Sequence, residues 1–354
     1  MRIAHIVGTL DIGGAEMLVL RLSKLQKSQG HEPSVHYLFG TGVMEPAFLA
    51  AGIPVHSHNG GGKRDRIRSL ARAFPALGIE AVHCHNVAPT LLGTLAARWA
   101  GIRCVVSTRH NMGRSASRVD DAKYALAGRL CRKVVAVCDA ARRNLVAAPF
   151  ADASRIITIY NGTDPVDLSG IQPPPGTGGF VLLQVGRMAA PKDPLTLLDA
   201  FHQMRPECPE ARLWVVGDGP LLEPSKAHAK TLGLGDAVTF WGQQTDVRPF
   251  LAGASLFTLS SRSEGVPVAQ LEAMAAGLPT VVTAAGGMPE VAAPGEGSAI
   301  VPIGDAAALA QAYLRYARDP ALRERAGQVA RLHFQQNFTL ERMNADYLRL
   351  FAAR

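Results

Sequence analysis

Apolar residues along the chain fall into short runs, separated by longer stretches of helical period. Residues 2–8 alternate into an apolar strand, and Gly13-Gly14 opens a segment in which Leu18, Leu22 and Leu25 recur at helical spacing until Gly30. Residues 34–39, 81–85, 104–107, 134–137 and 156–159 also read as strands, with a helix over 87–100. The Pro/Gly-rich stretch 173–179 has no period and no hydrophobic anchor, which is the composition of a linker. Beyond it, 180–185, 213–216, 238–240, 256–259 and 280–283 read as strands with helical segments between them. Short apolar strands alternating with helices predict parallel sheets, so the fold class is α/β. The domains expected are 1–170, a linker at 171–179, and 180–337. Near the end, about 338–354, Leu340, Met343, Tyr347 and Leu350 share one helix face, and this helix is expected to cross back to the first domain.

Composition fits this picture. The 354 residues are 47% hydrophobic and 19% charged, which argues against disorder, and no apolar run approaches the ~20 residues of a membrane span. The first ten residues lack the pattern of a secretory signal, so a cytoplasmic location is expected. Five cysteines without a C-x-x-C pair fit reduced thiols better than a disulfide framework or a zinc ribbon. The net charge of +8 is unevenly placed: residues 1–178 hold 21 Lys/Arg against 12 Asp/Glu, and the remainder 16 against 17. A basic first half attracts an anionic partner or serves solubility alone.

The most informative stretch is residues 260–279, SSRSEGVPVAQLEAMAAGLP. Pro267 is placed as the first helical residue, Gly277 as the stop, and Pro279 just beyond. A turn through Glu264, Gly265 and Val266 would aim the backbone N–H groups around Pro267 and Val268 at the C-terminal edge of a sheet, where a diphosphate is suited. Glu264 in the turn and Glu272 about a turn and a half into the helix can both look into the crevice. Arg187 and Lys192 follow the first strand of the second domain at its C-terminal end. Two cations there can neutralise a leaving nucleoside diphosphate, or they can be ordinary surface ion pairs.

Glu264 and Glu272, with seven residues between them and followed by Ala273-Met274-Ala275 and Gly277-Leu278-Pro279, resemble the E-x7-E signature of family 4 retaining glycosyltransferases of the GT-B fold. Further matches stand in the order that family requires: Gly13-Gly14-Ala15-Glu16, Thr108-Arg109-His110, Asn161-Gly162-Thr163-Asp164, Gly186-Arg187 with Lys192-Asp193, Gly217-Asp218-Gly219-Pro220, Phe240-Trp241-Gly242 and Gly286-Gly287-Met288-Pro289-Glu290. The resemblance covers nearly the whole chain. Cys138 stands where a serine is expected and Thr163 where an aliphatic residue is more usual. It implies two Rossmann-like domains facing each other across a deep cleft and transfer of a sugar from a nucleotide-sugar with retention. It also implies front-face attack, in which the departing phosphate oxygen takes the acceptor proton, with no protein nucleophile. By the same resemblance Glu272 holds the ribose hydroxyls, Glu264 the donor-sugar hydroxyls, and His110 reaches the donor sugar. Gly13-Gly14 approach the donor or acceptor, Gly186 lies by the diphosphate, and the base meets backbone around Gly242 and Gln243. The D-x-D pair of a metal site is missing, so no metal and no cofactor are expected. A UDP-sugar is the favoured donor and GDP-mannose the next. A glycan or lipid-linked glycan of cell-surface polysaccharide is the expected acceptor. The alternatives are a non-catalytic nucleotide-sugar-binding protein and a nucleotide-sugar epimerase.

Dehydrogenase and P-loop readings fail, because Gly217-Asp218-Gly219 lacks the third glycine and no Walker motif occurs. His83 and His85 share a strand face with Cys84 between them; a metal site would need two more ligands, so packing or an acceptor contact is the better reading. Basic residues crowd two segments, Lys63, Arg64, Arg66, Arg68 and Arg72, and Arg114, Arg118, Lys123, Arg129, Arg132 and Lys133, the latter around Val119, Leu126 and Leu130. They suit an anionic membrane surface at the inner face of the plasma membrane, or are solvated helix faces. Nucleic acid is not expected, because interleaved aromatics are missing.

Overall fold

A computed structural model describes residues 1–112, 117–175 and 178–353. Arg114 and two linker residues, 176 and 177, lie outside the described residues. The chain forms two compact units, Met1–Gly162 with Leu340–Arg354, and Thr163–Thr339.

The first unit is a seven-stranded parallel sheet with the order β3-β2-β1-β4-β5-β6-β7. Its strands are β1 (Arg2–Val7), β2 (Glu32–Tyr37), β3 (Val55–Ser57), β4 (Ala81–His85), β5 (Val105–Arg109), β6 (Lys133–Ala136) and β7 (Ile156–Thr158). The connecting helices are α1 (Gly14–Ser28), α2 (Glu45–Ala50), α3 (Lys63–Ala76), α4 (Val87–Trp99), α5 (Arg118–Gly128) and α6 (Asp139–Val146). Central strands are buried on both faces, so even their polar side chains, such as His5, His83 and Thr108, are shielded from water. β3 was not foreseen: as a three-residue edge strand it has no second apolar period to detect. Cys138 takes the serine's part at the start of α6, where its Sγ accepts from the Ala141 N–H at 3.3 Å.

The second unit is a six-stranded parallel sheet with the order β10-β9-β8-β11-β12-β13. It comprises β8 (Val181–Val185), β9 (Arg212–Val216), β10 (Val238–Gly242), β11 (Leu256–Leu259), β12 (Thr280–Thr283) and β13 (Ser298–Val301). Its helices are α7 (Pro194–Met204), α8 (Leu222–Thr231), α9 (Arg248–Gly253), α10 (Val268–Ala275), α11 (Met288–Val291), α12 (Ala306–Arg318) and α13 (Pro320–Asn337). The edge strand β13 also escaped the pattern reading.

The expected domain boundaries need correction. Residues 163–170 belong to the second unit, because Thr163 bridges Thr339, its N–H bonds the Phe338 carbonyl at 3.1 Å, and Val166 and Leu168 pack on the second unit's core. That unit therefore ends at Thr339 and not at 337. The last helix, α14 (Leu340–Ala352), groups with the first unit. It buries Asn344 together with Leu340, Met343, Tyr347 and Phe351, and these last four join Ile3, Leu18, Leu22 and Val106 in one core. Phe338 closes α13 and is not the first residue of the last helix.

Candidate functional site

In an open parallel sheet, ligands bind beyond the C-terminal strand ends at the point where strand order reverses. In the second unit that point lies between β8 and β11, neighbours whose chain connections run to opposite sides. The loop after β8 carries Gly186, Arg187 and Lys192; the loop after β11 carries Glu264, Gly265 and Val266. The structure brings Lys192 and Glu264 together, with Nζ to Oε1 at 2.5 Å and only 19% and 14% of the side chains exposed. Ser261 Oγ donates to the same Glu264 oxygen at 3.1 Å.

Four further contacts fasten the two loops. Ser260 Oγ donates to the carbonyls of Lys192 and Asp193, at 3.1 and 2.8 Å. The Arg262 N–H donates to the Pro191 carbonyl at 2.8 Å. Arg262 Nε pairs with Asp193 at 2.7 Å, while Asp193, in the left-handed region at φ +47°, caps α7 through Thr196. Ser260, Arg262 and Asp193 were not among the expected site residues; their serine and arginine stand inside the signature stretch, but what they touch lies about 70 residues away. Arg187 is exposed and makes no ion pair among the described residues. Pro267 is the extended residue before the helix and not its first helical residue, so α10 starts at Val268; the Gln270 N–H donates to the Pro267 carbonyl at 3.1 Å, and the two N–H groups ahead of it have no intrahelical acceptor. Gly265, Val266 and Pro267 are buried, Val268 is half-buried, and Glu272 is half-buried on α10.

Backbone approach explains the glycines here. A Cβ on Gly217, at φ +140°, would lie 2.0 Å from the Gly186 carbonyl oxygen, so the β8 and β9 loops meet backbone to backbone. At Gly186, φ +155°, a Cβ would meet the Lys192 ammonium end at 3.3–3.4 Å. Gly242, at φ +64°, ends β10 and accepts from the Gly217 N–H at 2.8 Å; Gln243 beyond it is exposed.

The first unit has its own reversal point, between β1 and β4. Gly13 is the extended residue before α1 and Gly14 begins that helix; neither adopts positive φ, and a Cβ on Gly14 meets open space. Nearby Glu16 has its pKa raised by burial, with Asp11 adding to it. His110 is half-buried just after β5, and its Nε2 lies 2.9 Å from His85 Nδ1. His85 Nε2 in turn lies 3.2 Å from His5 Nδ1, and His5 Nε2 2.8 Å from Gln26 Oε1. Burial lowers His5 and His110 to about 4 and holds His85 and His83 well below the usual range, so the imidazoles are neutral near pH 7.

A neutral imidazole has one donor and one acceptor, so the group that ends the row sets the polarity of all three rings. Gln26 ends it, its amide held by donation to Asn344 Oδ1 at 3.2 Å, and Asn344 donates to Gln29 at 2.8 Å. With Gln26 accepting, each ring hands a proton toward it, and His110 keeps a lone pair on Nδ1. The His110 N–H is fixed by Asn86 Oδ1 at 3.0 Å, and Asn86 sits at φ +69°, ψ −170°, a region that side chains rarely enter. Neither Asn86 nor the His5–Gln26 row was foreseen. His5, His83 and His85 bring their ligand nitrogens within 4.8 Å of one another. However, both nitrogens of His5 and of His85 are engaged in the row, and Cys84 points to the other face of β4, near Gly93.

Residues 12–167 match the family model described as Glycosyltransferase Family 4, and residues 179–319 the model described as Glycosyl transferases group 1. The lipopolysaccharide core biosynthesis glycosyltransferase LpsE of Rhizobium meliloti (strain 1021) is 32% identical over 203 residues, covering 56% of this chain and 58% of that protein. The UDP-Gal:alpha-D-GlcNAc-diphosphoundecaprenol alpha-1,3-galactosyltransferase of Escherichia coli is 27% identical over 236 residues, 61% of this chain and 60% of that one. The matched regions thus span less than two thirds of these relatives. Among solved structures, Anabaena Alr3699/HepE in complex with UDP and glucose superposes with a TM-score of 0.87 at 20% identity, over 100% of both chains. Sucrose-phosphate synthase from Thermosynechococcus elongatus does so at 0.83 and 20%, again over 100% of both. With two parallel-sheet units, the signature residues at a sheet reversal point and family models matching both halves, the chain belongs to the family 4 glycosyltransferases of the GT-B fold.

Proposed function

We propose that the chain transfers a sugar from a nucleotide-sugar, with retention and without a metal, to a glycan or lipid-linked glycan of cell-surface polysaccharide. The observation that carries this reading is the close Lys192–Glu264 pair at the reversal point of the second sheet, between Arg187 and the first turn of α10. An arriving diphosphate competes with Glu264 for Lys192. Lys192 and Arg187 then meet the charge that grows on the leaving group, and the Glu264 carboxylate, still bonded by Ser261, is released to accept from a sugar hydroxyl. Glu272 accepts from the ribose hydroxyls. The departing phosphate oxygen takes the acceptor proton, so no side chain serves as nucleophile. A lone pair on His110 Nδ1 suits acceptance from a donor-sugar hydroxyl.

UDP is the favoured nucleotide, in keeping with the UDP-galactose relative, and GDP-mannose is the next. A thermal-shift panel of UDP, GDP, ADP and CDP in EDTA tests this. One nucleotide at 100 times its dissociation constant should add ~2.7 kcal/mol of stability. No shift with any of them, or one that requires added manganese, would contradict the reading. Nucleotide binding without sugar transfer to any acceptor would instead favour a non-catalytic binding protein, and isomerisation of the donor sugar an epimerase.

A further inference from the structure

α4 covers the face of β1 and β4 that carries Ile6 and Cys84, opposite the face on which α1 and α14 pack around Ile3. α3 and α5 flank α4, so the three helices form one layer. The outer side of this layer is unusual. On α4, Leu95 is 49% exposed and Trp99, four residues on, is 66% exposed. On α5, Val119 and Leu126 are each 59% exposed, and Leu130, just past its end, is 39% exposed. Residues four or seven apart share a helix face, so each helix turns an apolar stripe to water. Arg98 Nη2 donates to the Leu130 carbonyl at 3.0 Å, which brings the end of α4, with Trp99, beside the end of α5. Exposed Arg98 and Arg129 adjoin these side chains in the chain and exposed Arg103 follows α4; on α5 the exposed Lys123 is paired with Asp120, and the outer side of α3 adds Lys63, Arg64, Arg68 and Arg72 against Asp65.

We propose that this outer face of the α4–α5 layer is a docking surface for an anionic lipid bilayer. Charge complementarity decides the partner. The apolar stripes are flanked by arginines, which can meet lipid phosphates while the stripes enter the interface. The chain's entire cationic excess lies in its first half. An exposed tryptophan among arginines is the composition of a side chain seated at headgroup depth. Among the described residues no helix is long and apolar enough to cross a membrane, so the contact is interfacial: Leu95, Trp99, Leu126 and Leu130 enter the acyl boundary while the guanidinium groups meet lipid phosphates. The proposal deepens the functional reading above, in that a lipid-linked acceptor is presented at such a surface, but its test requires no turnover.

Trp99 supplies the probe. The other two tryptophans lie in the second unit, where Trp214 is buried and Trp241 half-buried. The full chain is mixed with vesicles of phosphatidylcholine alone or with phosphatidylglycerol, some carrying brominated acyl chains. The expected results are flotation with the anionic vesicles only, loss of flotation at high salt, and bromine quenching that disappears in Trp99→Phe. A Leu95→Ser/Trp99→Ser/Leu126→Ser variant should lose flotation. Charge reversal through Arg103→Glu and Arg129→Glu should weaken binding at least tenfold. These side chains are exposed, and nucleotide-induced thermal shifts on the same preparations show that the variants are folded and separate this proposal from the donor reading. Flotation that ignores lipid charge, Trp99 emission unmoved by vesicles, or the triple variant floating like the parent would overturn it. So would light scattering that shows a dimer abolished by the triple variant, because the face would then belong to a second copy.

Discussion

Lys192→Ala is expected to lower turnover by ~10²-fold or more, with little change in the fold. The ammonium follows the C-terminal end of β8 and is four-fifths shielded from water; in the proposed reaction it meets the charge that a leaving diphosphate gains as the glycosidic bond breaks. Charge stabilisation at a shielded site is worth far more than at an exposed one, so its loss falls on the chemical step. Arg187→Ala should act in the same direction. The variant also leaves Glu264 without its cation, although Ser261 still donates to it, which holds the carboxylate in place. Single-turnover release of nucleoside diphosphate checks the expectation. Turnover within a few-fold of the parent would remove Lys192 from the leaving-group site.

The second large effect is on stability in acid. His5 titrates near 6.5 unfolded and about 4 folded, because burial disfavours the imidazolium. Between those values the unfolded chain binds more protons, so the stability held above pH 6.5 is lost progressively toward pH 4. By pH 5 the loss from His5 alone is about 2 kcal/mol. His58, buried and also lowered to about 4, adds a similar amount, and His36, His83 and His85 act in the same direction. Such a sum is a large fraction of a domain's net stability. Hydrogen exchange, corrected for intrinsic rates, should show the first unit losing protection between pH 7 and pH 5 while the second unit changes little. Equal loss in both units, or none in the first, would show that these rings accept protons in the fold without penalty.

How far each feature could be read from sequence depends on the distance over which its physics acts. Central strands such as β1 and β8 were legible because burial on both faces makes them largely apolar, with His5 and Gln184 as interior exceptions, whereas the edge strands β3 and β13 are too short and too exposed to leave that trace. Glu264, Glu272, Arg187 and Lys192 were legible as a motif, but the ion pair between Lys192 and Glu264 was not, since it depends on β8 and β11 lying side by side. The same holds for the histidine row. His83 and His85 announced themselves as neighbours on a strand, while His5 joins them only through the parallel register that sets His5 against His83. Gln26 and Asn344, at buried helix positions and 318 residues apart, offered no pattern at all. Thr163 looked like a departure from the family pattern; its bridge to Thr339 shows why the second unit begins there.

The central claim is that the second unit's reversal point receives the nucleotide of a sugar donor. A crystal structure of the chain soaked with UDP tests it most directly. The diphosphate is expected against Arg187, Lys192 and the first turn of α10, with Lys192 moved off Glu264 and the ribose hydroxyls on Glu272. Nucleotide bound elsewhere, or Lys192 and Glu264 still paired beneath a fully occupied ligand, would contradict it.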